Sequence, residues 1–180
     1  MEHTIYILLT RSGTCFSRLI HLATADRYTH VSIGLDGPLG SFYSFGRKHE
    51  HLILPAGMVE ERVRWGFFRS RPGTPCCLYQ LEVSQEVYDR LRERLDEMYA
   101  QRELYHYNIL GAFACFFHLP LPRQYHYFCS QFVASVLQES GALELPKGPD
   151  LTRPADFCQL DGLTTVHRGV IGGIPAVAAA

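Results

Sequence analysis

Most strand-like patterns of apolar residues lie before Val83, and the longer helical ones follow it. Thr4 to Leu9 is an unbroken run of β-formers, as expected of a strand central in its sheet. Arg11-Ser12-Gly13-Thr14 breaks it, and Phe16, Leu19, Ile20 and Ala23 then share one face of a short helix over 16–25. His30 to Leu35 alternates: Val31, Ile33 and Leu35 point one way, His30, Ser32 and Gly34 the other. Turn residues Asp36 to Gly40 bring Ser41 to Phe45 back as an antiparallel strand. If that hairpin centres on Pro38, Ser32 faces Ser44 and His30 faces Gly46. Residues 48–75 read mostly as loop, long enough to hide strand pieces. Cys77 to Val83 gives a further strand.

Ser84 caps the longest helix, whose seam is Val87, Leu91, Leu95 and Met98. Tyr107 to His118 is apolar around most of its circumference, which predicts a buried helix ended by Pro120 and Pro122. In the next helix Cys129, Phe132, Val133, Val136 and Leu137 fall at i, i+3, i+4, i+7 and i+8, and Gly141 stops it. Leu163 to Val166 fits a last strand, and 172–180 a loose C-terminal tail.

Composition narrows the class without naming a function. At 180 residues, with 47% hydrophobic and 19% charged, the chain suits one globular α+β domain spanning 1–180. A net charge of −1 offers no global field for nucleic acid or an anionic membrane, and Arg62, Arg64, Arg69 and Arg71 read as a solvated loop, with an acidic-ligand patch as the alternative. The start Met1-Glu2-His3-Thr4 lacks the basic opening of a signal peptide, and Ile109 to Phe117 is too short to span a membrane. Six cysteines without CxxC spacing fit reduced thiols, so a cytoplasmic location without transmembrane segment, metal or cofactor is expected.

Cys129 is the residue with chemistry to offer. It opens a helix, where free N–H groups and the macrodipole favour thiolate over thiol, and a thiolate is the nucleophilic form. Such a nucleophile needs a base, an orienting group behind the base and oxyanion donors. His30, on a strand face with only Ser32 and Gly34 beside it, is the best base available. Cys15 is the rival nucleophile, while Cys115 and Cys158 suit apolar filling. His49-x-His51 with Cys76-Cys77 lacks the spacing of a zinc site. Tyr125 and Tyr127 suit packing, with an oxyanion role for one of them as the alternative.

Tyr28-Thr29-His30-Val31-Ser32-Ile33-Gly34-Leu35, Tyr43-Ser44-Phe45-Gly46-Arg47 and Phe128-Cys129-Ser130-Gln131-Phe132-Val133 together resemble the circularly permuted branch of the papain-like NlpC superfamily. That branch holds YiiX/YycO-like cysteine hydrolases and is related to the lecithin:retinol acyltransferases. The resemblance implies a small, mostly antiparallel sheet with the Cys129 helix packed on it. It implies a peptidase or amidase with Cys129 as nucleophile and His30 as base, cleaving an amide or ester of a peptide-like or acylated small molecule through a thioester. A lipid acyl hydrolase or acyltransferase, or a weakly catalytic binding module, is the alternative. The third polar residue such sites carry after the histidine is Ser44 on the hairpin register, with Tyr43, His49 and Glu50 as other candidates.

Overall fold

The computed structural model describes residues 2–11, 26–48 and 55–176. The sheet is built on β1 (Glu2–Thr10), which pairs antiparallel along its whole length with β5 (Pro75–Ser84). On its other edge it pairs with β2 (His30–Gly34), from Tyr6↔Gly34 to Thr10↔His30. Held between two strands, β1 is also covered on both faces. Ile5, Ile7 and Leu9 enter the main core, whereas Leu8 joins Phe42, Leu78 and Ile171 on the other side. Two-sided burial is why its apolar run does not alternate.

β3 (Ser41–Arg47) returns beside β2 with Ile33 opposite Tyr43, the register that the Pro38 turn predicts. β4 (Ala56–Arg62) follows next to β3, inside the stretch that reads as loop, and a single helical turn, Gly66–Arg69, lies beyond it. Its charged end, Glu60-Glu61-Arg62, hides the strand from a hydrophobic pattern. Two-residue β6 (His106–Tyr107) and β7 (His126–Tyr127) extend that edge, and β8 (Thr164–Val170) closes the other. The order is β7-β6-β4-β3-β2-β1-β5-β8, antiparallel except between β6 and β7. The architecture is thus mixed α/β around a mostly antiparallel sheet, larger at eight strands than the small sheet expected.

Three helices of two turns or more are described: α1 (Gln85–Ala100), α2 (Ile109–Phe116) and α3 (Cys129–Ser140). Ser84 Oγ accepts from the Val87 amide to cap α1, and Leu91, Leu95 and Met98 are buried. α3 lies on the sheet over β2 and β3, with α1 alongside it. Phe132, Val133, Val136 and Leu137 are at most 1% exposed, and the Phe132 and Phe45 rings are 5.1 Å apart. Each such side chain stabilises by about 1.5–3 kcal/mol, so this seam fixes where Cys129 sits. Gly141 stops the helix in the left-handed region (φ 77°), and the Arg90 guanidinium donates to the Ser140 carbonyl at 2.8 and 3.0 Å.

Two expectations are corrected. α2 is not a buried helix: Gly111, Ala112 and Cys115 face inward, while Ile109, Leu110 and Phe113 are 44–63% exposed. The tail is not loose over its first residues, because Ile174 is 2% exposed and packs with Ile171, and the Gly172 amide donates to the Pro72 carbonyl. The expected helix over 16–25, Cys15, and the loop candidates His49, Glu50 and His51 lie outside the described residues.

Candidate active site

β2 and β3 part company toward the His30 end of β2. Their ladder runs through Gly34↔Phe42 and Ile33↔Tyr43 and stops, and the Ser44 hydroxyl donates to the Val31 carbonyl at 2.7 Å instead. Ser44 is therefore engaged in the backbone gap and does not orient the histidine. The orienting group is Glu61, on β4: its Oε1 and Oε2 lie 2.9 and 3.1 Å from His30 Nε2. An ionised carboxylate only accepts, so Nε2 carries the proton and donates it. Gly46 lies beneath the ring, where a Cβ would make only ordinary contact with Val59 Cγ2 at 3.6 Å and His30 Cε1 at 3.9 Å.

The imidazole also lies close enough to Cys129 for the thiol to help hold its charge. With Nε2 committed to Glu61, Nδ1 is the ring nitrogen left for sulfur. Burial works against charge on His30, but the Glu61 carboxylate, its bond to the ring and the Cys129 thiol outweigh it, and the net effect holds His30 well above the usual histidine range. Its side chain is only 17% exposed, so this charge sits where water screens it poorly.

Cys129 is the first residue of α3, and Phe128, the cap position, has no hydroxyl or carboxylate to offer the first amides. Gln131 Oε1 turns back to accept from the Phe128 amide at 3.4 Å. Helix geometry leaves the first N–H groups without intrahelical acceptors, so the amides at Cys129 and Ser130 are placed as oxyanion donors. Ser130 Oγ is buried with no protein partner, an exception that a buried hydroxyl rarely makes without cause. Tyr107 comes to this end of the helix too, its hydroxyl pushed well above the ordinary tyrosine range by burial and then by the Cys129 charge. Tyr125 and Tyr127 are packing residues: their rings lie against Tyr105 and Phe45, at 5.6 and 5.4 Å between ring centres.

Beside the thiol lies a small, partly open pocket of about 30 Å3. Ala112, Cys115, Phe116 and Phe128 make one wall, and Asp26 and Arg153 lie on another, 3.6 Å apart as an ion pair. The other cysteines are elsewhere in character. Cys76 and Cys115 are buried thiols pushed up to about 12 and about 11 by desolvation, which suits inert packing. Among the described residues no group of three or more His, Cys, Asp or Glu could hold a metal ion, and no helix is long and apolar enough to cross a membrane.

Of the residues singled out from the sequence, the structure brings Cys129 and His30 together and sets Ser44 apart. Glu61 was missed because its strand reads as loop. The available signal was narrow: 48–75 contains only Glu50, Glu60 and Glu61 as carboxylates, and β3 needed a partner strand from that stretch. Comparison with protein-family models, curated proteins and solved structures gives no match.

Proposed function

We propose that this chain is a cysteine hydrolase of the papain-like, permuted NlpC type, acting on an amide or ester through a thioester on Cys129. The observation that carries the reading is a single imidazole held on Nε2 by Glu61 and within electrostatic reach of Cys129 at a helix start. In this mechanism the sulfur of a Cys129–His30 ion pair attacks the substrate carbonyl, and the oxyanion is received by amides at the α3 terminus. His30 passes a proton to the departing amine or alcohol as the C–N or C–O bond breaks. It then takes a proton from water, which attacks the thioester and releases the acid and the free thiol. Glu61 holds the ring in one tautomer and one orientation through both steps, a role the weaker Ser44 hydroxyl would fill poorly. The largely apolar wall beside the thiol favours an uncharged acyl group in the pocket.

Incubation with a panel of activated acyl esters and amides, read by intact-protein mass and peptide mapping, tests this. An acyl mass on Cys129, released by hydroxylamine and absent from Cys129→Ala, is the expected result. Labelling of another cysteine, or no adduct from any ester while Cys129 alkylates normally, sinks the hydrolase reading in favour of a binding module.

A further inference from the structure

The chain between β6 and β7 makes an excursion that presents apolar side chains to solvent. Ile109, Leu110 and Phe113 project from α2, and Phe117, Leu119 and Leu121 continue the patch; each of the six is 38–63% exposed. Residues 117–125 are exposed without interruption. A fold does not expose so many large apolar residues together by default.

The presentation is built rather than loose. Asn108 is fully buried; its Oδ1 accepts from the Gly111 amide at 3.0 Å and its Nδ2 donates to the Leu121 carbonyl at 3.2 Å, fastening helix and loop together. Gly111 fits there because a Cβ would run into the Asn108 side-chain amide. The Phe113 and Phe117 rings pack edge to face at 5.3 Å, still facing outward.

Two features choose the occupant. Over residues 109–121 the only polar side chain is His118, so the patch has almost nothing with which to make the hydrogen bond per 100–200 Å2 usual at protein interfaces. Hydrocarbon asks for none. From 104 to 138 there is no carboxylate at all, while Arg123, His106, His118 and His126 are distributed along it. The nearest flanking acid, Glu103, is bonded to Lys48 at 2.8 Å, and Asp156 to Lys147 at 2.7 Å.

We propose that the outward face of α2 and the 117–125 loop dock on the surface of an anionic lipid bilayer, side chains in the interface and Arg123 among the headgroups. The inward face of the same helix, Ala112, Cys115 and Phe116, walls the Cys129 pocket, so docking brings that pocket to the bilayer surface. The docking surface does not depend on the covalent chemistry.

Co-sedimentation of the full chain with phosphatidylcholine vesicles, with and without phosphatidylglycerol, tests it. The protein should pellet with the anionic vesicles, and Phe113→Ser/Phe117→Ser should lower the partition constant at least about tenfold, with an unchanged circular dichroism spectrum. Arg123→Glu or added salt should weaken anionic binding several-fold, and Cys129→Ala should bind as the parent does. The proposal falls if the parent stays in the supernatant, if the double variant binds equally, or if neutral vesicles bind as well. It also falls if the parent is a dimer by light scattering that the double variant dissociates without vesicles playing any part.

Discussion

Two consecutive helices of this chain contradict a simple reading of hydrophobicity. α2, Ile109–Phe116, has no charged or hydrogen-bonding polar side chain beyond a thiol, yet only Gly111, Ala112 and Cys115 are buried. Six of the twelve residues of α3 are Ser, Gln or Glu, yet nine of the twelve are buried, Ser130 and Gln131 among them. What separates them is the surface each has been given. α3 lands on β2 and β3 with α1 alongside, so its residues are enclosed, and Gln131 and Ser140 are absorbed by local bonds, Ser140 Oγ to the Leu137 carbonyl at 3.1 Å among them. α2 has only a small cluster with Phe128 and Tyr107 beneath it. Burial follows from what the topology offers to pack against, and an apolar side chain left without an offer is information about a partner.

The largest effect expected from this contrast is in stability. Phe132→Ala, in the α3 seam, should cost about 3–5 kcal/mol, whereas Phe113→Ala on α2 should fall within about 0.5 kcal/mol of the parent. Urea denaturation of both variants measures the difference. Equal losses would mean that α2 is packed in solution and that the contrast is wrong.

A second test reaches only α3, because only α3 is wired to a buried charge. His30 titrates well above the ordinary histidine range in the folded protein, held up by Glu61 and Cys129 against its burial. A group whose folded pKa is raised gives its full stabilisation below the unfolded value, about 6.5, and loses it as the pH climbs through the folded value. Glu61→Gln removes the main charge that holds it up. The stability gap between parent and variant should therefore be widest near pH 6, about 2 kcal/mol for a bond between charged groups, and close as the pH rises. A gap that is constant from about pH 6 to pH 9 would show that Glu61 acts by packing alone.

How much of this was legible in the sequence follows the same physics. β1, β2 and β3, the Pro38-centred register, the Ser84 cap and the helix from Cys129 to the Gly141 stop could be read because local pattern and tertiary environment agree there. Cys129 and His30 stood out as residue types at a helix start and a sparse strand face. Glu61 did not, because β4 owes its existence to pairing with β3 rather than to its own residues, which are Gly, Met, Val and three charges in succession. Ser44 was the neighbour that register alone supplied, but the ladder ends before the register can apply, and its hydroxyl goes to Val31. The direction α2 faces was illegible for the opposite reason: a helix apolar all round carries no sign of which side is covered.

The smallest effect isolates what holds α2 in its pose. Asn108 both caps the helix at Gly111 and ties down the loop at Leu121, and its own amide donates to the Tyr127 carbonyl at 2.9 Å across the β6–β7 base. Asn108→Ala keeps that backbone bond and removes the two side-chain ones. The loss should be about 1 kcal/mol, the usual cost of a helix cap, and too small to unfold the sheet. Its local consequence should be larger than its global one, because the Leu121 tie lies midway between the bonds that hold the loop's two ends, the Leu119 amide to the Ala114 carbonyl and the His126 amide to the Arg123 carbonyl. His118 and Tyr125, both non-glycine residues at φ 56° and 58°, bracket that loop, so releasing the tie lets the backbone relax toward commoner conformations. Arg123, exposed between them, is the natural reporter. Limited trypsin digestion should cut after Arg123 several-fold faster in Asn108→Ala than in the parent, while cleavage at the arginines of α1 keeps its rate. If Arg123 is cut at the same rate in both, the apolar face is held outward by something other than Asn108.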